Sequence, residues 1–400
     1  MKRSFILAAL LLALTALTAP AEQLKGKVKA IAADKNTLTV TVGKADQQFI
    51  IPAEARILNA AGKELPQRLK AAPLQPGALV QLTTGKVDGK DVVQEVKLLD
   101  PFPPSGYLSE AEAGPDFLVQ GEYEGGNAKG KLGAQLIAQQ AEGQFQVLLY
   151  RGGLPGAGWD GQAPEKGTAK TEGGKTALAA GSWQGVVLDG KLTGKTPDGD
   201  DFELKRVVRK SATEGAKPPA GAIVLFDGTN TDEWPGGKLI DGQYLLAGSK
   251  TKRAVKDFKL HLEFRLPFRD RSQGNSGVYM QERYELQIMN TYGRVPPPNN
   301  GMASIYTVTA PSLNMCYPPL SWQTYDIDFK AARWDASGKK TANAVVTLLH
   351  NGVKVHDAVE IKNKTGAGKE EGPAAMPIYL QNHGSPVYYR NIWVELPPES

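Results

Sequence analysis

Between Gly274 and Ile288 the chain reads Gly-Asn-Ser-Gly-Val-Tyr-Met-Gln-Glu-Arg-Tyr-Glu-Leu-Gln-Ile, and its alternation sorts the side chains onto two faces. Val278, Met280, Tyr284, Leu286 and Ile288 share one parity and predict a core face. Tyr279, Gln281, Arg283, Glu285 and Gln287 share the other. A solvent-facing strand ordinarily carries Lys, Thr and Ser. This face carries a phenol, two amides, a guanidinium and a carboxylate, the groups that hydrogen-bond hydroxyls and stack on a ring. Sugar binding is the chemistry that mix predicts, with Glu285 as base or metal ligand. His383 follows an apolar run and precedes a Gly-Ser-Pro turn, so it can present an imidazole as base or metal ligand. Plainer roles stay open: His383 as a turn residue bonding backbone, Glu285 as a buried partner of Arg283 or Arg390.

Other chemistries lack their residues. The Glu-x-Asp-x-x-Glu pattern of laminarinase-type glycosidases is missing, because Glu285 is followed by Leu, Gln, Ile and Met. No His-x-His or His-Glu-x-x-His spacing occurs, so a tight zinc site is not indicated. A divalent cation with oxygen ligands stays open, as do Asp326 and Asp328, which share a strand face and read either as calcium ligands or as exposed carboxylates. The glycine-rich stretch Gly152–Gly161 has neither Lys-Ser/Thr nor a following helix, and so reads as a loop rather than a phosphate cradle. Cys316 is the single cysteine, which rules out an intrachain disulfide and reads as a buried thiol.

The elements that must position these groups are strands. The chain has 400 residues, 44 glycines and 27 prolines, and few apolar stripes of helical period. That predicts an all-β protein of several domains. The net charge of +5 is spread through interspersed Lys, Asp and Glu with no run of five like charges, so no nucleic-acid partner is expected. Residues 1–21 read as a secretory signal: Lys2-Arg3, an apolar Phe5–Leu17 too short to span a membrane, then Ala19-Pro20-Ala21. Cleavage there predicts an exported, periplasmic or secreted protein with no membrane anchor.

Residues 22–100 alternate in short runs and predict a small β-barrel-like domain resembling OB modules, with Asp88-Gly89 as a hairpin turn and a helical turn or two between Glu64 and Ala72. Pro101–Gly106 is a proline-rich linker. Residues 107–209 predict a second β domain, 210–219 a second linker, and 220–398 a third domain with longer strands and all four histidines. In that domain Phe258–Arg265 alternates strictly. Phe258, Leu260, Leu262 and Phe264 predict a core face, and Lys259, His261, Glu263 and Arg265 a solvent face.

Five motifs occur in order in the last domain. They are Leu-Phe-Asp-Gly-Thr-Asn ending at Asn230, the Gly274–Ile288 stretch, Trp322 to Phe329 (Trp-x-Thr-Tyr-Asp-Ile-x-Phe), His350-Asn-Gly352, and Ile378 to Val394. Together they resemble the 3-keto-disaccharide hydrolase family, also described as 3-keto-glucoside lyases and 3-keto-2-hydroxyglucal hydratases. The resemblance covers about 180 residues and implies a concanavalin-like jelly roll of two antiparallel sheets. By position it places Asn275, Gln281, Glu285, Gln287, His383 and Arg390 at the site. Glu285, His383 and Arg390 become the catalytic candidates, and Asn275, Tyr279, Gln281, Gln287 and Gln381 the substrate contacts. Asn290 and Asn382 stand where related sequences often carry an acid.

The implied substrate is an oxidised, 3-keto glycoside. Its carbonyl acidifies the C2 hydrogen; a base removes it, the enediolate expels the C1 substituent, and water adds back. Such a site needs a base, donors for the enediolate and an acid for the leaving oxygen. No redox cofactor is implied, and a separate glycoside 3-dehydrogenase would make the substrate. A non-catalytic carbohydrate-binding module and a conventional glycosidase are the competing readings.

Overall fold

The computed structural model describes residues 22–397 except 72, 88, 89, 101 and 102. The segment read as a secretory signal, residues 1–21, and the expected Asp88-Gly89 turn therefore lie outside the described residues. Nearly all regular structure is strand, as the turn-rich sequence predicts. The chain divides into two compact units, Met1–Pro104 and Ser105–Ser400.

The first unit is a six-stranded sheet around Leu38, Val40, Val80, Leu82 and Val96. The predicted strands are there, Glu22–Ala32 pairing Thr37–Val42 and Leu79–Val87 pairing Lys90–Leu98. The helical segment shrinks to the 3-10 turn Arg68–Lys70. The barrel-like domain expected here is an open sheet: Ala45–Ile50 ends one side, and Arg56–Leu58 adds in parallel at the other.

Closure occurs in the second unit instead. Eight strands from Gly121–Asn127 to Asp201–Val207 follow one another as an antiparallel meander, and the last pairs with the first. Tyr123, Phe145, Trp183 and Phe202 fill the interior with aliphatic neighbours, so this barrel is packed rather than hollow. It does not stand apart from the domain that follows. Glu122, on its outer face and 1 % exposed, receives Arg209 through Nε at 2.6 Å and Nη2 at 2.5 Å. The Arg209 guanidinium also lies 4.8 Å from the ring centre of Tyr317, in the sandwich.

The sandwich has two facing sheets. The larger centres on Tyr388–Glu395, Phe258–Arg265, Trp322–Lys330 and Ala344–His350. The smaller has the order Lys250–Val255, Met376–Leu380, Ser276–Met280, Tyr284–Ile288. Both predicted core faces meet between them: Phe258, Leu260, Leu262 and Phe264 from one sheet, Val278, Met280, Tyr284, Leu286 and Ile288 from the other. Cys316 is buried in the same core, and burial pushes its thiol up to about 12.

The outer face of the larger sheet corrects an expectation. His261 and Glu263, read as solvent-facing, are fully buried. Residues 211–216, read as a linker, are an ordered strap across them. Thr213 Oγ1 donates to Asp326 Oδ2 (2.6 Å) and Gly215 N to Glu263 Oε1 (2.6 Å). Strand alternation gives parity but cannot reveal what a distant segment later covers.

Candidate active site

The Gly274–Ile288 stretch folds as a hairpin, Ser276–Met280 against Tyr284–Ile288. Its loop, Gln281–Arg283, holds Gln281 and Glu282 in the left-handed region (φ 56° and 52°) without a glycine or asparagine. Side-chain contacts hold it there. Gln281 Nε2 donates to Val255 O (2.9 Å), and Glu282 pairs with Lys250 (3.3 Å) and Lys369 (3.0 Å). The partners in the ladder preserve the two faces, so Tyr279 stands opposite Glu285.

The row containing Glu285 extends across four chain segments. Tyr379 is opposite Tyr279, Tyr279 opposite Glu285, and the segment carrying Tyr306 adds to the hairpin's free edge. Leu286 bridges Ile305 antiparallel, and Tyr306 N donates to Glu285 O at 3.1 Å. The row therefore runs Tyr379, Tyr279, Glu285, Tyr306, with side chains on one face.

Glu285 is 2 % exposed. Its Oε2 accepts from the Tyr279 hydroxyl at 2.7 Å, and that hydroxyl accepts from Gln381 Nε2 at 3.3 Å. Gly277 makes room for the carboxylate, since a Cβ there would lie 2.4 Å from Oε1. Gly366 (φ 43°) does so on the other side, where a Cβ would lie 3.5 Å from Oε2 and 3.0 Å from the Tyr306 ring. Burial pushes the Glu285 carboxyl up to about 7, against the Tyr279 hydrogen bond and the charge of His383, which both favour ionisation. Burial, then the Glu285 charge, raises the Tyr279 phenol, which stays protonated as donor. A carboxyl titrating near neutrality can take a proton and give it back.

His383 is exposed at the rim, its Nδ1 3.5 Å from Asn275 Nδ2. Asn275 N donates to Ser385 Oγ (2.9 Å), and Ser385 Oγ donates to the buried Asp270 carboxylate (2.5 Å), so the two loops are tied together. Asn290 and Asn382 accept from backbone N–H groups two residues on, Tyr292 and Gly384. An aspartate would make the same turn bond.

Five of the eight expected site residues thus gather on the smaller sheet and its adjoining loops: Glu285, Tyr279, Gln381, Asn275 and His383. Three do other work. Arg390 lies on the larger sheet, where Nε donates to Glu263 Oε2 (2.7 Å), Nη2 to Glu214 Oε1 (3.0 Å), and the guanidinium covers Trp322 at 4.0 Å. Gln281 is spent on the hairpin loop. Gln287 keeps the expected face but is 3 % exposed, its Oε1 accepting from Ile288 N and its Nε2 reaching Asn300 O. Neither arginine pairs with Glu285; Arg283 donates to Gln281 Oε1 and to the carbonyls of Glu370 and Ala374. Tyr306, Tyr379 and Gly366 were missed, because they come from loops and strands far from the hairpin in sequence.

No group of three His, Cys, Asp or Glu side chains among the described residues is arranged to hold a metal ion. Asp326, a possible calcium ligand by sequence, is bound to His261 Nδ1 (2.6 Å) and Thr213. Two hollows lie on the barrel. One of about 530 Å³ at its end is lined by Leu118, Thr171, Leu188 and Asp189, and gathers no imidazole.

Comparison with known proteins bears on the same domain. Residues 221–395 match the family of 3-keto-alpha-glucoside-1,2-lyase-like domains. This C-terminal segment is a domain of that family. The lyase-like domain is thereby that of a carbohydrate-active enzyme. A proposed glycosyl hydrolase of Parabacteroides distasonis ATCC 8503 is 30 % identical over 45 % of this chain and 85 % of its own, with a TM-score of 0.41. A second from the same organism is 19 % identical over 48 % of this chain and 98 % of its own, with a TM-score of 0.34. No curated protein matches the chain. Within the lyase-like domain, the matched segment includes both the Glu285 row and the Glu263 cluster, and starts just after the strap.

Proposed function

We propose that the lyase-like domain cleaves 3-keto-glycosides by elimination, with Glu285 as the base that removes the C2 proton. The observation that carries this reading is the setting of Glu285: a buried carboxyl poised at about 7, held by the Tyr279 phenol and influenced by the charge of His383. A conventional glycosidase needs two carboxyl groups roughly 5–10 Å apart across the bond. Proton abstraction beside a ketone needs one base of matched pKa.

The roles follow from position. Tyr279 fixes the Glu285 carboxylate through its hydrogen bond and is itself fixed by Gln381. Asn275 and His383, side by side at the rim, are the donors offered to the 3-oxo group as negative charge develops there. Protonated Glu285 then returns its proton to C2 when water adds at C1. The 3-keto substrate requires a prior oxidation at C3, so the partner reaction is that of a glycoside 3-dehydrogenase. The N-terminal residues support action outside the cytoplasm, on sugars met after export.

The test compares a chromogenic 3-keto-glucoside with the matching unoxidised glucoside, each with and without EDTA. Release from the keto substrate alone, lost in Glu285→Gln, is expected. Equal release from both substrates would instead identify an ordinary glycosidase, and saturable binding without release a carbohydrate-binding module.

A further inference from the structure

Glu285 has a tyrosine on each side, and the two are used differently. The Tyr279 hydroxyl is engaged by Glu285 and Gln381. The Tyr306 hydroxyl makes no hydrogen bond among the described residues, although the residue is only half-buried and its backbone is firmly held. Tyr306 N donates to Glu285 O (3.1 Å), Thr307 N to Asn299 O (2.8 Å), and Ile305 bridges Thr309. Its backbone is fixed beside Glu285 while its hydroxyl is left free of partners among the described residues, so it is available to a ligand there.

Its position says what that is. The Tyr306 ring edge and Glu285 Oε2 both lie within 3.5 Å of the point where a Gly366 side chain would begin. Gly366 thus packs its backbone against both, and its lack of a side chain lets the Glu285 carboxylate and the Tyr306 ring stand close together. In an elimination, the base acts at C2 while the leaving oxygen departs from the adjacent C1, so base and acid must stand side by side, each reaching one of two neighbouring ring carbons. A carboxylate and a phenol on neighbouring strands of one row meet that requirement, strands lying about 4.8 Å apart.

Resting on the elimination reading, we propose that Tyr306 is the general acid that protonates the leaving oxygen. The C2–H bond breaks with its proton passing to Glu285. The C1–O bond breaks with its electron pair going to the leaving oxygen, which takes the Tyr306 proton and departs as an alcohol. In the return step water adds at C1, giving its proton to the Tyr306 phenolate, while Glu285 delivers its proton to C2. Both groups end as they began, and the net reaction is hydrolysis with water as the only co-reactant.

The prediction is a dependence on leaving group that a structural role would not produce. Purified protein is assayed with 3-keto-glucosides carrying 4-nitrophenyl, phenyl and methyl aglycones. Tyr306→Phe is expected to lower kcat/KM for the methyl glycoside about a hundredfold, and for the 4-nitrophenyl glycoside by no more than about threefold, because only the alkoxide needs a proton to leave. An equal loss on all three substrates, or none, overturns the assignment while leaving Glu285 as base. Wild-type protein that leaves every keto substrate intact overturns the elimination reading and this inference with it.

Discussion

Two glutamates on opposite sheets of the sandwich, Glu263 and Glu285, are almost equally buried and are driven in opposite directions. Glu285 is 2 % exposed and its carboxyl is pushed up to about 7. Glu263 is fully buried, yet its carboxyl is held down at about 2. Burial raises both. At Glu263 it is outweighed by His261, Asn391, the Gly215 N–H and Arg390, four donors that fix the negative charge. At Glu285 one phenol and a more distant imidazole do not suffice. Burial alone does not make a carboxylate reactive. Burial with too few donors does, whereas burial with enough makes a structural anchor, here for the strap over the larger sheet.

Exchange of each acid for its amide breaks the comparison most directly. Glu285→Gln is expected to lower kcat on a 3-keto-glucoside by a factor of roughly 10²–10⁴ with the fold retained, read by steady-state kinetics beside circular dichroism. Glu263→Gln should do the reverse. It leaves Arg390 and His261 facing a neutral amide, so denaturant unfolding should show a loss of about 3–5 kcal/mol, with kcat of the folded fraction near wild type. A kinetic collapse in Glu263→Gln would mean that the larger sheet takes part in the chemistry.

The pH dependence of stability sharpens the contrast, because the signs differ. Glu285 has a raised pKa, so ionising it costs the folded state: stability falls as pH rises from the usual value of 4.5 to about 7, by roughly 3 kcal/mol, and is then level. Glu263 has a lowered pKa. Its contribution is complete above 4.5 and is lost as pH falls towards about 2. His261 is raised despite the opposing effect of burial, through Asp326 and Glu263. Its contribution is complete below 6.5 and is lost as pH climbs through its higher folded value. Urea titrations from pH 5 to 8 should therefore show a decline that is shallower in Glu285→Gln than in wild type.

A smaller effect tests the packing around the reactive acid alone. In Gly277→Ala the new methyl would lie 2.4 Å from Glu285 Oε1, so the carboxylate must turn away from Tyr279. A loss of about 1–3 kcal/mol in stability is expected, with kcat falling at least about tenfold. Unchanged kcat would mean that the carboxylate orientation is unimportant.

Much of this contrast was legible in the sequence, and the parts that were not share a cause. Alternation assigned Phe258, Leu260, Leu262 and Phe264, and Val278, Met280, Tyr284, Leu286 and Ile288, to the core where they are found. It also set Tyr279 and Glu285 on one face. It did not reveal the hairpin between them, because Gln281-Glu282 lacks the Asn-Gly or Asp-Gly that ordinarily marks such a turn. Gln281 was consequently read as a site contact. Arg390 was placed at the site by the family resemblance. It lies on the strand Tyr388–Glu395 of the larger sheet, not on the sheet that carries Glu285, and is claimed by Glu263 and Glu214. Tyr306, Tyr379, Gly366 and the strap reach their places through pairings between distant segments, which periodicity in one segment cannot report.

The central claim is that Glu285 removes the proton at C2, and hydrogen exchange reads that step without any leaving group. A 3-keto sugar lacking a C1 substituent, 1-deoxy-3-keto-glucose, is incubated with the protein in deuterated water and followed by proton NMR. The account predicts loss of the C2–H signal at a rate well above the buffer background with wild-type protein, and background exchange with Glu285→Gln. Exchange that persists unchanged in Glu285→Gln would contradict it.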